Sequence, residues 1–169
     1  AIHTPADVEG LKIRTMENPA HLAAFNAMGA APTPMAWPEV ISSLQQGVID
    51  GQENPLSVIV SVKLDEVQEY LTLSGHVYSP AMLLVSKPFW EGLDDDQKAA
   101  FETAAAEAVT AMRGFVDDVE SSGVETLKER GMKVNELSAE EKAAFQESIT
   151  SAYDEYYETY GKELVDSIV

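Results

Sequence analysis

The first part of the chain alternates between short runs with a strand pattern and longer runs with a helical pattern. Residues 10–15 (GLKIRT) alternate in polarity and include β-branched side chains, which predicts a strand. Residues 18–29 carry apolar side chains at helical spacing, and Asn18 followed by Pro19 is typical of a helix start. Residues 32–37 (PTPMAW) are predicted to be extended, because proline disfavours the helical conformation in the residue before it.

The same alternation continues along the next fifty residues. Residues 38–47 begin with proline and end with glycine around an apolar stripe, which predicts a second helix. Residues 48–50 (VID) predict a short strand, and a third helix is expected at about 56–70. Residues 76–86 (HVYSPAMLLVS) are rich in strand formers. Strands and helices that alternate over residues 10–86 indicate an α/β sheet.

A long helical pattern dominates the second part of the chain. Asp94 and Gln97 match a capping box, and the pattern then continues to Arg130. An unbroken helix of this length would be about 55 Å long, at about 1.5 Å per residue. Such a helix is expected to bridge two bodies or to kink near Gly114 or Gly123.

The C-terminal region predicts one more strand and further helix. Residues 132–137 (MKVNEL) have a strand pattern, and Ser138 with Glu141 matches a second capping box. Helix is expected from there towards Tyr160. Residues 153–160 (YDEYYETY) predict an amphipathic tail helix that packs tyrosine rings at helical spacing.

The charge of the chain narrows the classes of partner. The 29 acidic residues outnumber the 11 basic ones, and the net charge is −18. This excess argues against nucleic acid and against anionic membrane surfaces, which both require clustered basic residues. No apolar run approaches the roughly 20 residues of a membrane helix. The chain has no cysteine, and its histidines, His3, His21 and His76, are scattered along the sequence, so no metal cluster is indicated.

No catalytic motif stands out, and the sequence predicts neither an enzyme nor a bound cofactor. The chain contains no nucleophile elbow, glycine-rich phosphate loop or zinc-protease motif. Arg14 is the first candidate for binding, because it ends a predicted strand, where the ligand crevice of an open sheet forms. Its guanidinium can bind a carboxylate by two parallel hydrogen bonds, or it can pair with a protein carboxylate. Glu17 is either that partner or a contact for a polar group of a ligand.

Three further residues are candidates, and each has a structural alternative. Asn54 can donate to a carboxylate, but an asparagine before proline more often caps the following helix. Trp37 can form one wall of a pocket or pack against the start of the next helix. His76 follows a turn before a predicted strand, and a lone histidine is more often structural than functional.

Taken together, residues 10–56 resemble the solute-binding proteins of TRAP transporters, the DctP-like family. The resemblance is carried by KIR, MGAAPTPMAWPEV and LQQGVIDGQENPL in succession, and it continues more loosely to the C-terminal helices. It implies a periplasmic, two-lobed protein that is not an enzyme. Such a protein binds a small organic carboxylate, with hydroxylated acids and sugar acids among the expected ligands, and delivers it to the TRAP membrane permease subunits.

The resemblance also implies roles for the candidate residues. By resemblance, Arg14 pairs with the ligand carboxylate, Asn54 binds the same group and Trp37 lines the site. The positions of Glu17 and His76 face the ligand in some relatives.

The resemblance implies an α/β, periplasmic-binding-protein-like lobe with a long bridging helix and C-terminal helices, and the N-terminal lobe is expected to be absent. Residues 1–79 and 120–169 are expected to form the second, C-terminal ligand-binding lobe. Residues 80–119 are expected to cross over to the absent first lobe, and residues 80–90 are then expected to mediate self-association, because an uncovered apolar strand invites pairing. The alternative is an acidic helical interaction or oligomerisation module with no ligand pocket.

Overall fold

A computed structural model describes residues 1–167 as eight α-helices and five short strands. The helices are α1 (Pro19–Ala27), α2 (Trp37–Gln45), α3 (Leu56–Ser61), α4 (Lys87–Glu91), α5 (Asp95–Glu129), α6 (Ala139–Ser148), α7 (Tyr153–Tyr160) and α8 (Lys162–Asp166). The strands are β1 (Ile13–Thr15), β2 (Thr33–Pro34), β3 (Gly51–Gln52), β4 (Tyr70–Leu73) and β5 (Lys133–Glu136). Short 3-10 turns lie at Pro5–Val8, Leu64–Glu66 and Thr150–Ala152.

The strands form two small parallel sheets, which confirms the predicted α/β class. In the first sheet the strand order is β2-β1-β3, and Arg14 lies opposite Thr33 on one side and Gln52 on the other. The second sheet pairs β4 with β5. Because β1, β2 and β3 are parallel, the residues that follow them meet at one edge of the sheet.

Two groups of buried apolar side chains pack the helices against the two sheets. The larger group joins α2, α3, the end of α5 and the β4–β5 sheet, and its buried members are Val40, Leu44, Ile49, Ile59, Leu64, Leu127 and Met132. The smaller group joins the N-terminal turn, β1 and α1, and its buried members are Val8, Ile13, Phe25 and Ala30. Burial of such side chains is the main favourable contribution to folding.

The long helix α5 runs unbroken from Asp95 to Glu129, and its start has the predicted capping box. Asp94 Oδ1 accepts from the Gln97 amide at 2.8 Å, and Gln97 Oε1 accepts from the Asp94 amide at 3.0 Å. Gly123 is buried where α5 packs on α3, and a Cβ at this position would lie at ordinary contact distance, 3.4 Å, from Val60. The buried residues of α5 are Gly123 and Leu127 near its C-terminal end.

Two predicted element boundaries were wrong. The strand expected at 48–50 lies at Gly51–Gln52, because Ile49 is buried in the core and the backbone reaches Lys12 only from Asp50 onwards. The helix expected at 56–70 ends at Ser61. Lys63 adopts a left-handed conformation with φ of 55°, which interrupts the helix.

The later part of the expected third helix is instead strand β4. Residues 70–73 pair in parallel with residues 133–136, so the strand predicted near 132–137 is present and its partner was missed. The capping box at Ser138 is confirmed, since its Oγ accepts from the Glu141 amide at 3.2 Å.

The strand suggested by residues 76–86 is not formed. This segment has no regular secondary structure, and Met82, Leu83 and Leu84 are each at least 70% exposed. A strand requires a hydrogen-bonding neighbour, and no strand within residues 1–167 pairs with this segment. Within the same residues, no helix is both long enough and apolar enough to cross a membrane.

The packing of α5 on the core yields a first prediction. Leu127 is fully buried, so Leu127→Ala is expected to lower the free energy of unfolding by about 2–5 kcal/mol, through lost contacts and the cavity left behind. Urea unfolding monitored by circular dichroism measures this loss. Met112→Ala on the same helix is the control: Met112 is 59% exposed, and a change within about 0.5 kcal/mol is expected. Equal losses in both variants would contradict this packing.

Candidate functional site

Arg14 is fixed where the ends of the first three strands meet. Its side chain is buried, and Nε and Nη2 both donate to the backbone carbonyl of Met35, at 2.9 and 2.7 Å. The Met35 amide donates in turn to the Thr15 carbonyl at 3.3 Å. Hydrogen bonds therefore run both from β1 to the segment that leads into α2 and from that segment back to β1.

Trp37 holds the guanidinium from a second side. The Arg14 Cζ lies 5.6 Å from the centroid of the Trp37 ring, within the range of a cation–π contact. Trp37 is the first residue of α2, and it packs against the larger core group. Both roles considered from the sequence are thus compatible, because the ring packs at the start of the helix and also faces Arg14.

These contacts leave one edge of the guanidinium available. Within residues 1–167, no protein atom accepts a hydrogen bond from Nη1 of Arg14, and no carboxylate forms a salt bridge with it. Burial lowers the pKa of Arg14 from its ordinary value, and the negative charge of Glu53 opposes this change. Because an arginine remains protonated in proteins, the site retains a positive charge that a carboxylate can use.

Asn54 does not cap the next helix, which was the favoured structural alternative. Pro55 occupies the N-cap position of α3, and no side-chain hydrogen bond caps that end. Asn54 Nδ2 instead donates to Oε1 of Gln52 at 2.5 Å. Because Gln52 lies in β3 opposite Arg14, this bond holds the side-chain amide of Asn54 close to the strand that neighbours Arg14.

A second polar cluster, which the sequence did not reveal, surrounds Glu53. One carboxylate oxygen lies 3.4 Å from Nδ1 of His21, and the other lies 3.5 Å from Nε2 of His76. Burial raises the pKa of Glu53, but the interactions with His76 and His21 outweigh it and hold the pKa below its ordinary value. Glu53 therefore carries its negative charge between two histidines.

His76 is oriented by two further contacts. Its Nδ1 lies 2.8 Å from Oγ of Ser74, and its ring meets the ring of Phe25 edge-on, with centroids 5.7 Å apart. Phe25 and His21 lie on the same face of α1, four residues apart. His21 and His76, which are far apart in the sequence, therefore both face Glu53 in the fold.

Glu17 does not join this arrangement. Its side chain is exposed, and it forms no salt bridge with Arg14 or with any other residue of the described range 1–167. The structure thus brings Arg14, Trp37 and Asn54 together around the edge of the first sheet, with His76 attached through Glu53, and leaves Glu17 outside. Among the same residues, no group of histidine and acidic side chains is arranged to hold a metal ion.

A cavity of about 570 Å³ adjoins the Glu53 cluster. Its walls combine apolar side chains of the smaller core group with Gln52, Glu53 and His76, whereas Arg14, Trp37 and Asn54 do not line it. The free edge of Arg14 and this cavity are thus separate features, and Glu53 both lines the cavity and acts on Arg14 through its charge.

The sequence matches one protein family along most of its length. Residues 1–159 match the family described as DctP, bacterial extracellular solute-binding protein, family 7. A solute-binding protein of Verminephrobacter eiseniae is 44% identical over 99% of this chain and 50% of its own length. The chain spans about half the length of the curated relatives it matches.

Solved structures of similar proteins show the same fold. A TRAP periplasmic solute-binding protein from Bordetella bronchispeptica, with density assigned as pantoate, has a TM-score of 0.90 and 54% identity. A second, from Polaromonas sp JS666, is bound to D-erythronate and has a TM-score of 0.91 and 42% identity. Each match covers 99% of this chain and 55% of the solved chain.

The lowered pKa of Glu53 predicts how the stability of the fold depends on pH. Because the folded pKa lies below the ordinary value of 4.5, the ionised carboxylate stabilises the fold fully above pH 4.5. This contribution is lost as the pH falls through the folded value. The difference in unfolding free energy between the wild type and Glu53→Gln is therefore expected to shrink from pH 5.5 to pH 3.

Urea unfolding at each pH measures this difference. Glu102→Gln is a suitable control, because Glu102 is exposed on α5, and a change below about 0.5 kcal/mol is expected at both pH values. A difference for Glu53→Gln that grows on acidification would show that the carboxylate is not stabilised by its surroundings.

Proposed function

Since the chain belongs to family 7 of the bacterial extracellular solute-binding proteins, the DctP family, we propose that it forms one lobe of a TRAP solute-binding protein. In this proposal the whole protein captures a small organic carboxylate in the periplasm and delivers it to TRAP membrane permease subunits. It acts by binding and release and catalyses no reaction. The relatives with pantoate and D-erythronate support a hydroxylated acid as the class of ligand.

The observation that carries the proposal is that Arg14 is buried without a carboxylate partner among residues 1–167. A buried arginine that serves only the fold is usually paired with a carboxylate, because an unpaired buried charge is costly. Here the partners of Arg14 are a backbone carbonyl and an aromatic ring, and neither neutralises its charge. The carboxylate of a ligand is therefore proposed to complete the set of partners at the free edge.

Asn54 and Trp37 support the same site. The amide of Asn54 is held beside the Arg14 strand by Gln52, and its Oδ1 accepts no hydrogen bond within residues 1–167. We propose that Asn54 binds the carboxylate together with Arg14, and that Trp37 forms the wall behind them. His76 is proposed to act through Glu53, and Glu17, which is exposed, is given no contact with the carboxylate in this lobe.

We propose the following division of the chain into lobes. Residues 1–79 and 120–169 form the C-terminal ligand-binding lobe, and residues 80–119 cross over to a first lobe. The exposure of the 80–86 segment and the absence of buried residues from α5 before Gly123 support this division, because side chains that pack on another lobe are exposed without it.

The division has a consequence for affinity. A ligand closes a two-lobed protein only if it contacts both lobes in the closed state, since closure needs a difference in affinity between states. This chain carries only the contacts of one lobe. Its own affinity for a carboxylate is therefore proposed to be weak, and the full affinity belongs to the whole protein.

The alternative function, an acidic interaction module with no ligand pocket, is not favoured. It requires Asn54 to be a simple helix cap and Arg14 to be paired within the protein, and neither is found. The exposed apolar side chains that suggested an interaction module also fit a surface that packs against the first lobe of a two-lobed protein.

Arg14→Lys tests the ligand site in a full-length binding protein that carries this sequence. The variant keeps the charge but loses the planar pair of donors, so affinity for a hydroxylated acid is expected to fall about tenfold or more. Isothermal titration calorimetry measures the change. Arg130→Lys is the control, because Arg130 pairs with Asp65 at 3.2 Å on the surface, and unchanged affinity is expected. Equal affinity in both variants would remove Arg14 from the site.

Self-association of this chain tests the proposed role of residues 80–90. Apolar side chains that are not covered by the first lobe are expected to pair between copies, so the chain is expected to sediment as a dimer or larger species at tens of micromolar. Leu84→Asp is expected to shift it towards the monomer, because Leu84 is 79% exposed in this segment. Val48→Asp, at a half-exposed position elsewhere, is the control. A monodisperse wild-type monomer would contradict this proposal.

A further inference from the structure

Three separate parts of the chain contribute to the cluster at Glu53. His21 comes from α1, Glu53 follows β3, and His76 begins the irregular segment after β4. The side chains of Glu53 and His21 are 12% and 13% exposed, and that of His76 is 28% exposed. The carboxylate is thus largely withdrawn from water, with each of its oxygens facing one histidine.

The cluster is connected to the ligand site through the backbone. Glu53 lies between Gln52, which pairs with β1 at Arg14, and Asn54, whose amide is bonded to Gln52. The position of Glu53 is therefore linked through the backbone to the two residues that place Asn54 beside Arg14. The charge of Glu53 also acts on Arg14 directly, because the two groups are close enough for a Coulombic interaction.

We propose that His21, Glu53 and His76 form a histidine–carboxylate clasp that positions the Gln52–Asn54 turn and adjusts the charge beside Arg14 with pH. The consequence for affinity rests on the proposed function, whereas the positioning of the turn does not. Glu53 is a positioning residue in this scheme, because it acts through Asn54 and Arg14 and touches no ligand.

The direction of the pH effect follows from the charges in the clasp. With both histidines neutral, the clasp carries one negative charge, and with both protonated it carries one positive charge. Histidines commonly change charge between about pH 5 and pH 8. Arg14 on β1 keeps its charge over this range, and Lys142 on α6 and Tyr153 at the start of α7 line the cavity beside Glu53. An anion beside Arg14 is therefore bound more tightly as the pH falls.

The three histidines of this chain make the clasp directly observable by nuclear magnetic resonance. Imidazole signals of His21 and His76 are recorded from pH 8 to pH 5, together with the backbone amides of residues 51–54. In the wild type the amide shifts are expected to follow the two histidines with the same midpoint. In Glu53→Gln the response of the amides is expected to be lost, because the carboxylate that faces the two histidines is gone.

Glu141→Gln is the matched control. His3 Nδ1 lies 3.1 Å from Glu141 Oε1, neither residue lines the cavity beside Glu53, and glutamine preserves the capping-box pattern at Ser138. This variant is expected to leave the response of the amides of residues 51–54 as it is in the wild type. If Glu53→Gln does not fold, His21→Asn and His76→Asn replace it, and each is expected to reduce the amide response without abolishing it.

The ligand arm uses D-erythronate, whose carboxylate is ionised throughout this pH range. The same spectra detect millimolar affinity at the Asn54 side chain, so weak binding by this chain is measurable. Binding is expected to tighten about three- to tenfold from pH 8 to pH 5.5 in the wild type and in Glu141→Gln, but not in Glu53→Gln.

The outcomes separate the two proposals. Amides of residues 51–54 that ignore the histidines, or that respond identically in Glu53→Gln, would overturn the clasp. A wild-type affinity that does not change with pH would overturn its adjustment of charge. If D-erythronate, pantoate and D-galacturonate all fail to bind to the full-length protein, the proposed function fails, and the amide titration still decides whether the clasp positions the turn.

Discussion

The hydrogen bonds from the Arg14 guanidinium to the Met35 carbonyl are the constraint on which the proposed site depends. They satisfy two donors of a buried cation with a neutral acceptor, so the arginine is held in place without losing its charge. Met35 also bonds back to β1 and leads into α2, which begins with Trp37. The position of the cation, the strand end and the aromatic ring are therefore set by one local arrangement of backbone.

Local signals predicted the helix starts well. Asn18 caps α1 by accepting from the Ala20 amide, and the capping boxes at Asp94 and Ser138 start α5 and α6 as expected. These signals depend on residues within one turn of helix, so the sequence alone contains them. The predicted end of the third helix was wrong, because that end is set by the left-handed Lys63 and by the pairing of β4 with β5, about sixty residues away.

The residues of the candidate site also differ in whether local sequence or distant contacts reveal them. Arg14 and Trp37 were singled out because a strand end and a proline-flanked aromatic residue are visible in sequence. Asn54 was singled out by resemblance, while local reasoning favoured a helix cap that the structure does not contain. The clasp escaped notice because His21, Glu53 and His76 meet only after α1, β3 and the segment after β4 have packed together.

A strongly acidic chain is compatible with an anionic ligand, because the charges close to a ligand act on it more strongly than the net charge of the chain. A net charge of −18 acts mainly through distant surface groups, which salt screens beyond about 8–10 Å. In the proposed site, a ligand carboxylate meets the free edge of Arg14 at short range, with Glu53 as a nearby carboxylate of the protein. Because His21 and His76 face Glu53, we propose that their protonation sets how far that carboxylate opposes the ligand. In this proposal the charge that acts on a ligand is the local sum over a few side chains, and it can change sign while the charge of the whole chain remains strongly negative.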